Sequence, residues 1–171
     1  MTSQPFSLEE WNATHPRWQE LVSFMEAEEQ AYYWQEETHF SQFRHYFLVA
    51  LQDNELAGFL QFFLQSIGPD RDCPPLSLNG TLLIEAKIIA FAVRKDRQRQ
   101  GIGTALQYHA ISRARELGCY QLRSYSSNTS AHAANYQLKL AMGFAAQPEF
   151  RGENDTGVNF IMPLAPSRPR K

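Results

Sequence analysis

Gln98-Arg99-Gln100-Gly101-Ile102-Gly103 is the stretch on which the reading of this chain turns. Just upstream, Ile88-Ile89-Ala90-Phe91-Ala92-Val93 is short, apolar and bounded by charge, which predicts a buried strand. Downstream, Ile102, Leu106, Ala110, Ala114 and Leu117 recur at helical spacing, and Gly118 supplies a left-handed stop. Two glycines between strand and helix let the backbone approach a ligand closely. Their amides, at the positive end of the helix dipole, make a cradle for an anion such as a phosphate.

Charge around the loop agrees. Arg94, Lys95, Arg97 and Arg99 stand against Asp96, a local surplus of three positive charges. Two phosphate motifs are excluded. A P-loop needs a lysine directly after its second glycine, and none is here. A dinucleotide fingerprint needs a third glycine where Leu106 stands.

Working outward, Ser7-Leu8-Glu9-Glu10 has capping-box spacing, and Trp18, Leu21, Val22 and Met25 mark an amphipathic helix from near Pro16 to about Tyr32. His45 to Gln52 and Leu56 to Gln65 read as a hairpin about Asp53-Asn54-Glu55. Residues 67–80, with Gly68-Pro69-Asp70 and Pro74-Pro75, predict a long loop. Thr81 to Val93 is the central strand, and Tyr120 to Ser126 follows the helix as a parallel neighbour with a right-handed crossover. Ala131 to Met142 is a further helix stopped by Gly143-Phe144, and Asn159 to Pro163 is the last strand. We expect one domain over residues 1–164 and a basic, disordered tail at 165–171.

Composition narrows the function classes. The 171 residues are 43% apolar, enough for a core, and carry a net charge of −2, which gives no general attraction to nucleic acid or anionic membrane. No apolar run approaches the roughly 20 residues of a membrane span, and the first residues carry no signal-peptide pattern, so we expect a cytoplasmic protein. Cys73 and Cys119 are too few for a disulfide framework and read as thiols. The five histidines show no metal-ligand spacing.

Gln98 to Gly103 matches Q/R-x-x-G-x-G/A at every defined position. With Val93 five residues before it and Gly143-Phe144 closing a later helix, the chain resembles the GNAT superfamily of acyl-CoA-dependent N-acetyltransferases. The resemblance runs from Tyr46 to Pro163 and implies an α/β (α+β) fold, a mixed, centrally splayed sheet flanked by helices. The family's first strand is not evident in the sequence. By resemblance, acetyl-CoA is the co-substrate. Its diphosphate is held by amides in the run Gln98, Arg99, Gln100, Gly101, Ile102, Gly103 and Thr104, with Arg94, Lys95 or Arg97 near the phosphates. Its pantetheine lies along Phe91, Ala92 and Val93, and Asn128 and Asn135 are further polar contacts.

The implied chemistry is direct attack of an amine on the thioester. An alkylammonium with a pKa of about 10.4 must lose a proton, the tetrahedral oxyanion needs a donor, and the thiolate needs a proton. Glu85 is the candidate base, sharing a strand face with Lys87 and Ile89, with a water chain as the alternative. Tyr136 is the candidate acid. The family's usual tyrosine position, four residues before the glycine of Gly-Phe, is Lys139 here. That departure sustains a second reading, a module that binds acyl-CoA without turnover. Glu36 and Glu37 favour a cationic acceptor. The expected partners are acetyl-CoA and an amine acceptor, with no nucleic acid, no membrane and no metal; a homodimer is left open.

Overall fold

The computed structural model describes residues 5–31, 39–127, 133–152 and 155–164. Its strands are β1 (Phe6–Trp11), β2 (His45–Gln52), β3 (Glu55–Ser66), β4 (Ser77–Leu78), β5 (Thr81–Leu82), β6 (Ile84–Val93), β7 (Gln121–Ser127), β8 (Ala145–Gly152) and β9 (Asp155–Pro163). The helices are α1 (Trp18–Ala27), α2 (Ile102–Glu116) and α3 (Ala133–Ala141). The chain gathers into two compact units, Met1–Phe63 with Ile88–Ala110 and Leu64–Lys87 with Ile111–Lys171. The segments β3, β6 and α2 contribute residues to both.

In the first unit the strand order is β1-β2-β3-β6. β1 pairs antiparallel with β2, and β2 with β3 through a two-residue turn. Asp53 and Asn54 both have positive φ there, as a type I′ turn requires. Arg94 N–H donates to Ala57 C=O, which sets the end of β6 against β3. α1 packs Leu21, Val22 and Met25 on Phe47, Val49 and Phe59, and Trp18 meets Phe47 edge-on at 4.8 Å. α2 covers the other face, where Leu106 would lie 3.2 Å from a side chain placed at Gly58. Two covered faces explain why β2 and β3 are nearly continuous apolar runs.

The second unit carries the start of β6, then β7, β9 and β8. β9 is antiparallel to both β7 and β8. Tyr120 N–H, just before β7, donates to Ile84 C=O at the start of β6. The two strands therefore begin side by side and run parallel, as expected. Gly118 and Gly143 both take positive φ and stop α2 and α3 as their sequence positions predict.

Four expectations need correction. Ser7 to Glu10 does not cap a helix; it lies in β1, the strand that the sequence hides. A capping box is only a short-range signal, and here β2 satisfies the backbone instead. α1 ends at Ala27, because Glu29 turns left-handed at φ 55°. Residues 67–80 are not plain loop. They hold a 3₁₀ turn at Pro69–Arg71 and one arm of the β4–β5 hairpin, whose Asn79-Gly80 turn shortens the central strand to Ile84–Val93. Finally, β8 precedes the last strand. Its Pro148, its polar residues and its 70%-exposed Phe150 mark an edge strand without the apolar alternation that would reveal it.

Candidate functional site

The glycine loop is built as its sequence predicts. After β6 the chain passes a 3₁₀ turn at Lys95–Arg97, turns left-handed at Arg99 (φ 60°) and again at Gly101 (φ 84°), and enters α2. Ala105 N–H donates to Gly101 C=O at 2.9 Å, so Gly101 stands at the helix N-cap. By α-helix geometry the amides of Gly101, Ile102, Gly103 and Thr104 have no acceptor within the helix, and a glycine cap offers no side chain to fill that role. Ile102 is buried and pins the first turn to the core. A side chain at Gly103 would meet Phe91 Cζ at 3.2 Å, so glycine there lets the helix close on the strand.

The glutamines of the motif act through their side chains as loop braces. Gln98 Nε2 donates to Val93 C=O at 3.1 Å, and Gln100 Oε1 accepts from Gln52 Nε2 at 2.9 Å. The basic side chains are more engaged than the sequence suggests. Arg97 pairs with Asp53 at 2.9 Å and Glu55 at 3.2 Å, and Arg94 with Asp96 at 3.0 Å. With Asp53 and Glu55 drawn in, four bases face three acids and the local surplus falls from three to one. Among the described residues, Lys95 and Arg99 stay outside these pairs. Hydrogen bonding to Asp53 holds the Arg97 guanidinium above its ordinary value.

At the expected pantetheine strand, sequence gave no warning of Gln30. Arg94 faces β3, so by strand alternation the N–H and C=O of Phe91 point to the opposite edge. There the Gln30 carboxamide pairs with both: Phe91 N–H donates to Oε1 at 2.8 Å, and Nε2 donates to Phe91 C=O at 3.1 Å. Ala92 is buried, and Val93 gives its carbonyl to Gln98.

Glu85, the expected base, is 1% exposed. Its carboxylate accepts from Gln65 Nε2 at 2.8 Å, Gln121 Nε2 at 2.7 Å, and Arg123 Nε and Nη2 at 3.1 and 2.6 Å. Arg123 also binds Asp70, which Lys87 approaches at 3.6 Å, so Glu85 and Lys87 do share a face. Burial pushes the Asp70 carboxyl up, but Arg123 and Lys87 outweigh it and hold it below the usual carboxylate range. Arg123 and Asp70 were absent from the sequence-based candidates. A lone arginine amid a strand whose neighbours are buried was the available signal.

Tyr136 and Asn135 start from α3 and meet β7 at one residue. Tyr136 OH donates to Ser126 C=O at 2.9 Å, and Asn135 Nδ2 donates to Ser126 Oγ at 2.9 Å. Burial raises the Tyr136 phenol above its ordinary value, which keeps it a proton donor. Lys139, one turn on, is 1% exposed, and its Nζ lies over the rings of Phe144 and Phe160 at 5.0 and 5.9 Å. The ammonium has no hydrogen-bond partner among the described residues, and burial lowers its pKa from 10.5 to about 7. Asn128, Glu36 and Glu37 lie outside the described residues.

The fold is that of known acyl-CoA enzymes. Arabidopsis thaliana NAA60 in complex with acetyl-CoA superposes with a TM-score of 0.69 at 13% identity, over 94% of this chain and 99% of that one. A Bacillus subtilis acetyltransferase in complex with CoA gives 0.60 at 19% identity, over 94% and 99%. The Escherichia coli ribosomal-protein-S18-alanine N-acetyltransferase gives 0.60 at 18%, over 95% and 96%. No curated protein sequence matches the chain significantly. A sequence profile of the acetyltransferase (GNAT) family matches residues 8–137, and the chain belongs to that family.

Proposed function

We propose that the protein transfers an acetyl group from acetyl-CoA to a primary amine of a small molecule or peptide, by direct attack. One observation carries this reading: four amides without helical acceptors at the start of the 15-residue α2, behind a left-handed glycine cap. A diphosphate satisfies such amides and interacts favourably with the helix dipole. The NAA60 and B. subtilis structures, with acetyl-CoA and CoA, support the choice of cofactor.

In this mechanism the neutral amine attacks the thioester carbonyl carbon and a backbone amide of β6 donates to the oxyanion. Collapse then breaks the C–S bond, Tyr136 donates its phenolic proton to the departing thiolate, and the N–H proton released by the acylated nitrogen returns through water to Tyr136. Glu85 is assigned a positioning role, because four donors already fill its carboxylate. The proton of the incoming ammonium leaves through water. The test is thiol release from acetyl-CoA across a panel of primary amines. Tyr136→Phe should lower kcat about a hundredfold with little change in KM. Glu85→Gln should cost about 3–5 kcal/mol of stability by breaking a buried ion pair, while the pH profile of the remaining activity keeps its shape. Loss of that profile's ionisation would instead make Glu85 the base.

Gln30 enters the same account. Its carboxamide makes on Phe91 the two hydrogen bonds that an amide of pantetheine would make, so the cofactor must displace it. Gln30→Ala should lower KM for acetyl-CoA about two- to tenfold with kcat unchanged, as measured by steady-state kinetics.

A further inference from the structure

The second unit contains a cavity of about 380 Å³, with Glu85 and Arg123 in its wall. One wall is the segment 67–76, fixed by hydrogen bonds from Ile67 N–H to Leu83 C=O, Arg71 N–H to Gly68 C=O and Leu76 N–H to Ile67 C=O. Gly68 is essential to that turn. Its φ is 124°, and a side chain there would meet Pro74 C=O at 2.4 Å. The opposite wall is β8 and β9, with Pro148, Glu149, Asn159 and Ile161.

Three features of the lining select a ligand. Asn159 is 3% exposed and gives its amide N–H to Glu149. A carboxylate only accepts, so the amide orientation is fixed and Oδ1 is left over; it has no partner among the described residues. Second, Asp70, Glu85 and Glu149 face Arg71, Arg123 and Lys87, which lies 3.6 Å from Asp70, so the site is neutral with Arg71 in place and carries one negative charge once Arg71 is displaced. Third, Glu85 and Asp70 are committed to Arg123, whereas Glu149 pairs with Arg71 of the loop, whose side chain is 42% exposed against 11% for Glu149. A sheltered carboxylate thus carries an accessible, exchangeable cation, beside an acceptor that lacks a donor.

We propose that this cavity binds a small organic cation, a primary ammonium or guanidinium on a short aliphatic stem. Glu149 is its counter-ion, Asn159 Oδ1 accepts a second N–H, and the stem lies against Ile67, Pro148 and Ile161. The bound cation displaces Arg71, which acts as an internal competitor.

The test is calorimetric titration of the full chain, without acetyl-CoA, using n-butylammonium, n-butylguanidinium and n-butyrate. Both cations should bind and butyrate should not. Glu149→Gln should weaken the cations about tenfold or more, and Arg71→Ala, at an exposed position that leaves the fold intact, should tighten them. Absence of cation binding up to about 10 mM, equal binding of butyrate, or an Arg71→Ala variant that binds no tighter would overturn the proposal. Adding acetyl-CoA separates two sources of the cation. Conversion of butylamine to N-butylacetamide with release of CoA thiol makes it an acceptor, and binding without conversion makes it an effector; either outcome supports the cavity as a cation site. The titration itself needs no cofactor, so its failure leaves the transferase reading standing.

Discussion

Gly101→Asp is expected to abolish coenzyme A binding while the protein stays folded. Gly101 sits at φ 84°, where a side chain carries strain, yet one built there would meet nothing within 4 Å. The fold therefore has room for the residue, and the penalty falls on what the loop binds. An aspartate places a negative charge beside four amides that have no acceptor within the helix. Gly101→Asn separates the two effects, because asparagine tolerates the left-handed region and has the same shape without the charge. We expect the asparagine variant to lose a few-fold in affinity and the aspartate variant on the order of a hundredfold more. The gap between them should shrink as salt is added. Equal affinities for both variants would remove the diphosphate from this loop.

Lys139→Met is expected to stabilise the protein, an unusual sign for a change at a buried site. The ammonium is buried among rings without a hydrogen-bond acceptor among the described residues, and burial lowers its pKa from 10.5 to about 7. The folded state thus favours the neutral amine, and unfolding takes up a proton wherever the pH lies between those values. Stability from this group is full above about 10.5 and falls as pH drops toward 7, by as much as about 5 kcal/mol. Methionine keeps the aliphatic stem and removes the ionisation. Denaturant unfolding from pH 6 to 9 should find the variant more stable at pH 7, with its advantage narrowing by about 1.4 kcal/mol per pH unit above that. A constant difference, or a destabilised variant, would mean that Lys139 finds an acceptor when charged.

What the sequence made legible follows from the range of each signal. The glycine loop, the strand before it and the helix after it are specified by adjacent residues, and all three stand where they were expected. The same holds for Gly118 and Gly143, whose left-handed turns are local requirements. β1 was hidden because its apolar residues are few and its partner, β2, lies some 40 residues away. The β4–β5 hairpin was legible in Asn79-Gly80, a strong type I′ signal masked by the prolines before it. The candidate site divides along the same line. Backbone features of the loop could be read, whereas the partners of side chains could not. Nothing local foretells that Gln30 reaches Phe91, 61 residues on, or that Arg123 fills the carboxylate of Glu85. Lys139 is the instructive case. Its position in the helix was plain, but its pKa depends on its burial, which only the packing of the fold produces.

The most direct test is a titration of the isotopically labelled protein with coenzyme A, followed through backbone amide resonances. The account predicts that the amides of Gly101, Ile102, Gly103 and Thr104 shift furthest and together, saturating with a single dissociation constant. Coenzyme A that binds without moving those four amides would contradict it.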